Sequence, residues 1–133
     1  MTKRYSPLAG RAALIIDELM STPAMPTDET LRFQLRLAIE EAVQNIVTYA
    51  YADAAEPWLE VHAERQGGKL VITLKDGGRP FNPLEHEAPD LSLPAEERPA
   101  GGLGIFLTRS MTDAVSYAYE DGCNILTLTK HLD

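Results

Sequence analysis

The chain has little of what several kinds of site and structure require. Its 133 residues include one cysteine and three scattered histidines, which excludes an intramolecular disulfide and a zinc site built on either residue type. No apolar run approaches the ~20 residues of a membrane-spanning helix. The apolar stretch near the start is too short for a secretory signal, because Asp17 and Glu18 follow it. We therefore expect a cytoplasmic protein.

Positive charge is also scarce. The 12 Lys+Arg residues face 20 Asp+Glu residues, and the net charge of −8 has the wrong sign for nonspecific binding to nucleic acid phosphates. Protein partners are expected, with no direct contact to nucleic acid or membrane. The 44% hydrophobic and 24% charged residues are typical of a globular chain, and the length suits one domain.

Two segments have apolar residues at helical spacing. Residues 8–20 predict a first helix, which ends at Ser21 ahead of two prolines. Asp28 is a residue type favoured at helix N-caps, and a second, strongly periodic helix is predicted from there to Tyr49.

The period then changes to two. Residues 59–64 and 70–74 alternate around Gly67-Gly68, which predicts a β-hairpin, and residues 114–119 and 123–130 predict another across a turn at 120–122. With a short helix at 103–111, the order of elements predicts an α+β fold. We expect a two-layer α/β sandwich, with a mixed, mostly antiparallel sheet covered on one face by helices.

A connection without periodicity separates the two hairpins. Residues 76–101 contain five of the nine prolines, and glycines lie at both edges. Most connections in compact domains are about 4 to 6 residues long, and long ones are often functional lids. The flanking glycines favour a lid here.

Three clusters carry residue types suited to chemistry. Glu41 and Asn45 lie one turn apart on the second helix, and a carboxylate beside an amide oxygen suits Mg²⁺, although both could equally be solvated surface residues. Asp76 ends a strand before Gly77-Gly78, where its carboxylate could accept from an exocyclic amine or simply begin a turn. The run 101–104 (GGLG) opens a helix, where free N–H groups bind phosphate, unless it is only a hinge.

The order of these clusters resembles a known superfamily. Residues 35–51 (LRLAIEEAVQNIVTYAY), 74–83 (LKDGGRPFNP) and 101–117 (GGLGIFLTRSMTDAVSY) are similar to the N, G1 and G2 boxes of the GHKL superfamily. The ATP-binding domain of that superfamily is the Bergerat fold. Within it, the chain resembles the stand-alone anti-sigma-factor serine/threonine kinases, over roughly residues 31–132. The resemblance implies that residues 1–133 form one histidine-kinase-like ATP-binding domain.

The resemblance also assigns roles. It implies that Asn45 is a magnesium ligand, Glu41 the general base for the attacking hydroxyl, and Asp76 the acceptor for the adenine amino group. Gly78 would let the backbone pass under the ring, and residues 82–100 would form the ATP lid. The ATP-binding backbone near the phosphates would be that of Gly102, Leu103 and Gly104.

Two positions depart from the family pattern. Pro80 stands where many members have a second glycine, which could stiffen the first hinge of the lid. Cys123-Asn124 stands where a Gly-Thr pair is common, in which the threonine helps to fix a water at the adenine. Asn124 can still donate and accept hydrogen bonds, so it is retained as an ATP-binding residue.

The implied function is that of an ATP- and Mg²⁺-dependent serine/threonine protein kinase. It would act as an anti-sigma regulatory factor that phosphorylates a small antagonist protein and binds a sigma factor in alternation, with a homodimer possible. A non-catalytic, ATP-gated protein-binding module in a partner-switching pathway is the alternative. The ATP-binding fragment of a split histidine kinase is a third reading.

Overall fold

The computed structural model describes residues 1–6, 8, 10–50, 58–85 and 107–132. Within them, five strands form one sheet in the order β1-β2-β3-β5-β4, and two helices pack on each other. The elements are β1 (Thr2–Tyr5), α1 (Ala12–Met20), α2 (Glu29–Asn45), β2 (Leu59–Gln66), β3 (Lys69–Asp76), β4 (Ala114–Glu120) and β5 (Cys123–His131). This α+β architecture confirms the predicted fold class.

Every strand pairing among the described residues is antiparallel, whereas the sequence predicted a mixed sheet. The two predicted hairpins supply two of these pairings, β2 with β3 and β4 with β5. The pairing of β3 with β5 joins the hairpins, and β1 adds to the free edge of β2. The two strands of a hairpin always run antiparallel. In a sheet made of two hairpins, the direction of the pairing between them, here β3 with β5, therefore decides whether the sheet is mixed.

The core lies on one face of the sheet. On β3 every second residue is buried, with Leu70, Ile72 and Leu74 at 0% exposure, and the intervening residues are partly exposed. The same alternation holds on β5, where Leu126 and Leu128 face the core. This period is that of a sheet with one covered face and one solvated face.

Helix α2 begins where the sequence predicts. The carboxylate of Asp28 accepts a hydrogen bond from the backbone N–H of Leu31 at 2.9 Å, which satisfies one of the free donors of the first turn. The helix changes directly after Asn45 to a π-helical turn over Ile46–Ala50. Such π turns are rare and occur frequently at functional sites.

Helix α1 begins four residues later than predicted. Leu8 is buried, at 2% exposure, but it lies in a turn in which the N–H of Arg11 donates to its carbonyl at 3.0 Å. The spacing of apolar residues indicates which residues are buried, and a buried residue such as Leu8 can lie outside the helix. The predicted helix therefore began too early. Strand β1 was missed, because only Tyr5 of its four residues is buried and no alternation shows.

The second hairpin closes through a two-residue turn. Asp121 and Gly122 both have positive φ, 54° and 76°. Two positive φ values in succession are the signature of the type I′ turn, whose twist matches that of paired strands, and Asp-Gly is a favoured sequence for it.

Among the described residues, no helix is both long enough and apolar enough to cross a membrane.

Candidate functional site

The chemistry-bearing residues meet at one end of the sheet. Asp76 is the last residue of β3, and Asn124 lies directly opposite it near the start of β5. Both face the core side of the sheet, at 2% and 4% exposure. A buried polar pair at the edge of an apolar core requires partners, since an unpaired buried polar group costs about 1–3 kcal/mol.

A cavity opens beside this pair. Helix α2 and its π turn, the strands β3, β4 and β5, and the segment after β3 each contribute to its lining. The lining residues are Ala42, Asn45, Ile46, Asp76, Phe81, Pro83, Tyr117, Asn124 and Leu126. The cavity therefore combines apolar walls with a few polar groups, which is the usual composition of a small-molecule site.

The Asp76 carboxylate is held through one oxygen. Its Oδ1 accepts from the N–H of Gly78 at 2.9 Å and from the side-chain amide of Asn124 at 2.9 Å. Burial raises the pKa of Asp76, and these two hydrogen bonds oppose the rise. No other hydrogen bond to Asp76 comes from the described residues, so Oδ2 remains available to accept from a ligand.

Asn124 links Asp76 to the segment that follows β3. Besides Asp76, its Nδ2 donates to the carbonyl of Arg79 at 2.8 Å. Its Oδ1 accepts from the N–H of Phe81 at 3.0 Å and from the hydroxyl of Tyr117. Both ends of the amide are thereby bound by protein.

Helix α2 supplies the other side of the cavity. Asn45 lines it from the last turn before the π-helical turn. Glu41 lies one turn earlier and is partly exposed, and it is not among the residues that line the cavity. No hydrogen bond or ion pair joins its carboxylate to any residue in the described ranges.

The neighbouring carboxylate is already paired. Glu40 accepts from Arg36 Nε at 3.0 Å, and the same guanidinium reaches Asp17 at 3.2 Å. Of the two adjacent acidic residues, Glu41 is thus the one without a described protein partner, and its role stays a prediction.

The two glycines after Asp76 have different surroundings. Gly78 is buried and donates its N–H to Asp76. A Cβ on Gly77 would lie 2.6 Å from Nε1 of Trp58, so no side chain fits at Gly77 unless the indole moves. The indole lies under the guanidinium of Arg4, 4.1 Å from the ring centroid.

Several predicted positions lie outside the described residues. These are Gly102, Leu103 and Gly104, the first part of the third helix, and all of the predicted lid beyond residue 85. Of that helix, residues 107–110 are described, and Thr108 donates to the carbonyl of Ala38 on α2 at 3.2 Å. No group of three or more His, Cys, Asp or Glu side chains in the described part of the chain could hold a metal ion by itself.

Sequence reasoning missed several residues that line the cavity, and two of them, Tyr117 and Phe81, bind Asn124. Tyr117 reaches the cavity because β4 pairs with β5, with Tyr117 opposite Leu126, and Phe81 reaches it through the bond to Asn124. Only the pairing register shows which residues of different strands line one cavity.

Comparison with known protein families assigns this chain to one of them. Residues 7–130 match the histidine kinase-like ATPase domain family. The chain belongs to this family. The matched residues include α1 and all of the residues that line the cavity.

Relatives of this domain include named protein kinases. Serine/threonine-protein kinase BtrW of Bordetella bronchiseptica is 32% identical over 101 residues, which cover 76% of the chain and 71% of BtrW. Serine-protein kinase RsbW of Bacillus thuringiensis is 30% identical over 102 residues, which cover 74% of the chain and 62% of RsbW. The chain thus spans less than two thirds of the length of RsbW.

A solved structure shares the fold. The histidine kinase domain from the Erythrobacter litoralis EL346 blue-light activated histidine kinase superposes with a TM-score of 0.64 at 17% identity. The superposition covers 92% of this chain and 58% of that one. It supports the architecture of the sheet and its helical layer.

Proposed function

We propose that this domain is an ATP-dependent serine/threonine protein kinase, which acts as an anti-sigma regulatory factor and phosphorylates a small antagonist protein. The observation that carries the proposal is one cavity lined by both Asp76 and Asn45, from the end of β3 and the end of α2. The names of BtrW and RsbW, relatives at 32% and 30% identity, support a kinase acting on a protein hydroxyl.

The Asp76 end suits an adenine ring. Oδ2 of Asp76 would accept from the exocyclic amino group, while Oδ1 stays bound to Gly78 and Asn124. Ile46 and Leu126 offer apolar surface to the faces of the ring. Gly78 is proposed to let the backbone pass close to the ring. A buried acceptor that can bind only a donor selects strongly for bases that present one.

The Asn45 end suits a magnesium-bound triphosphate. Mg²⁺ is usually held by one or two protein oxygens together with substrate phosphates and water, and not by an all-protein cage. The amide oxygen of Asn45, with no cluster of acidic ligands among the described residues, fits that pattern. Bound there, Mg²⁺ would neutralise charge on the phosphates. Gly102, Leu103 and Gly104 are proposed to bind the phosphates through backbone N–H groups.

Glu41 is proposed as the general base. As the acceptor hydroxyl oxygen bonds to the γ-phosphorus, the bond from that phosphorus to the β,γ-bridging oxygen breaks and ADP leaves. The Glu41 carboxylate takes the proton of the hydroxyl. The pairing of Glu40 with Arg36 leaves Glu41 as the acidic residue of this turn that can do so.

A sigma factor and an antagonist protein are the proposed partners, and a homodimer is the proposed assembly. The net charge of −8 favours protein partners over nucleic acid. Phosphorylation of the antagonist would release it and so return the kinase to the sigma factor.

Calorimetric titration of ATP, with and without Mg²⁺, tests the binding half of the proposal. We expect Mg²⁺-strengthened binding by the wild type and loss of most affinity in Asp76→Asn. Wild-type affinity in both Asp76→Asn and Asn45→Ala would overturn the site.

Transfer of radiolabel from γ-labelled ATP to a small antagonist protein from the same organism tests the catalytic half. We expect an acid-stable label on a serine or threonine, because phosphohistidine is hydrolysed in acid. Binding of ATP without any transfer would favour the ATP-gated binding module. An acid-labile label would favour the histidine kinase fragment.

A further inference from the structure

Asn124 uses all of its hydrogen-bonding capacity on the protein. A carboxamide has two N–H donors and two acceptor lone pairs. The donors go to Asp76 and the carbonyl of Arg79, and the acceptor takes bonds from Phe81 and Tyr117. A longer contact of Nδ2, at 3.5 Å, reaches the carbonyl of Gly78. Asn124 therefore has no polar group left for a ligand, and any effect it has on a ligand must pass through these five partners.

We propose that Asn124 is a positioning residue that sets the base preference of the site, because it fixes Asp76 with only its Oδ2 open to the ligand. The inference rests on the proposed function, and it names the residue that makes the site prefer adenine to guanine. Asn124 and Gly78 both bind Oδ1, so rotation of the carboxylate would break two bonds at 2.9 Å. The open oxygen then accepts from an amino group, as in adenine, and repels a carbonyl oxygen, as in guanine.

The hydrogen bond from Asn124 to Asp76 also affects whether Asp76 is ionised, and ionisation decides whether Asp76 prefers a donor or an acceptor on the base. A carboxylate only accepts, whereas a protonated carboxyl group also donates and can bind a carbonyl oxygen. Burial raises the pKa of Asp76, and the Asn124 bond is the larger of the two interactions that oppose the rise. Among the described residues that line the cavity, Tyr117 is the only other titratable group, and none of them carries a positive charge. Without Asn124, protonation of Asp76 would therefore extend to higher pH.

The first test needs no nucleotide. In the wild type, the side-chain amide of Asn124 should titrate in NMR with the same midpoint as the Asp76 carboxyl group, because the two groups are bonded. In Asn124→Leu, of similar size but without donors, the Asp76 midpoint should rise, because a hydrogen bond that favours the charged form is lost. Lys130→Met is the matched control, since it removes a buried side-chain bond to Met111 on the same face of β5 and should leave the midpoint unchanged.

The second test measures ATP and GTP affinities at two pH values, one below and one above the Asp76 midpoint that NMR gives for Asn124→Leu. We expect Asn124→Leu to lose about 10-fold or more of the preference for ATP at the lower pH and to regain part of it at the higher pH. A merely structural role would weaken both nucleotides equally at both pH values and would leave the Asp76 midpoint in place, which would overturn the inference.

Failure of the inference is distinguishable from failure of the proposed function. If the wild type binds ATP through Asp76 but Asn124→Leu keeps the wild-type ratio at both pH values, the inference alone is wrong. If the wild type binds neither nucleotide, the proposed function is wrong, and the base preference with it. If Asn124→Leu does not fold, the wild-type titration decides, and separate midpoints for Asn124 and Asp76 overturn the inference.

Discussion

The two ends of the cavity are built in different ways. At the Asp76 end, each polar side chain is bound by protein, and Asp76 and Asn124 are almost fully buried. At the α2 end, Asn45 and Glu41 are partly exposed, and Glu41 has no partner among the described residues. The protein therefore fixes the side chains at the Asp76 end in advance, whereas it does not fix Glu41 through any described hydrogen bond.

The difference follows from what each end must recognise. A neutral base gains little from charge, so selection requires a fixed acceptor in a desolvated position, which the protein must build in advance. A metal-bound triphosphate is charged, and its phosphate oxygens coordinate the metal. The side chains that contact it must therefore not be paired with other protein groups. Changes at the two ends should therefore affect different measurements.

The largest effect is expected from Glu41→Gln. Loss of a general base slows proton transfer by about 10²- to 10⁴-fold, so phosphoryl transfer should fall by that factor while ATP affinity stays within about threefold of wild type. Single-turnover assays and calorimetry measure the two quantities. Glu40→Gln is the control, because it removes only the exposed pair with Arg36. Equal loss of transfer in both variants would contradict the assignment.

Next in size is Asp76→Asn, which acts on the base end. The amide oxygen can take the place of Oδ1, opposite the donors of Gly78 and Asn124, so its NH₂ group would face the adenine amino group. We expect ATP affinity to fall about 100-fold, with Mg²⁺ still strengthening what binding remains. An unchanged dissociation constant for ATP would remove Asp76 from the site.

Asn45→Ala should have a smaller effect, confined to the metal. Loss of one neutral ligand is expected to reduce the strengthening of ATP binding by Mg²⁺ by about tenfold, comparable to the loss of one good hydrogen bond. Affinity for ATP in EDTA should match wild type. A drop of equal size in EDTA would place Asn45 at the base and would end the contrast between the two ends.

The smallest effect concerns stability and pH. Because the pKa of Asp76 is raised in the folded state, the native protein binds more protons than the unfolded chain between the ordinary and the raised value. The Asp76 contribution to stability is thus present at low pH and is lost as pH rises through the folded pKa. Urea denaturation should show that Asp76→Asn removes this decline; the same decline in both proteins would contradict the raised pKa.

Sequence patterns predicted the elements whose causes are local. The cap at Asp28, the alternation in β2, β3 and β5, and the turn at Asp121-Gly122 each depend on residues within a few positions of one another. Strand β1 and the start of α1 depend on distant contacts. Tyr5 is opposite Leu59 on another strand, and Leu8 is apolar because it enters the core, not because it is helical.

The site divides in the same way. Motif order pointed to Asn45 and Asp76, and the structure brings both to one cavity, while their roles in binding remain proposals. The direct bond from Asn124 to Asp76 could not be read from the sequence, because it follows from the register of β3 with β5 and from an amide long enough to cross it. A shorter side chain at that position would need water to span the gap.

The contacts of Trp58 with Arg4 and Gly77 give the protein a built-in optical signal. Trp58 is the single tryptophan of the chain, and its indole occupies the space that a side chain at Gly77 would fill, one residue from Asp76. Indole emission responds to nearby charge and solvent. Occupancy of the neighbouring cavity should therefore be visible as a change in intrinsic fluorescence, in real time and without any attached dye.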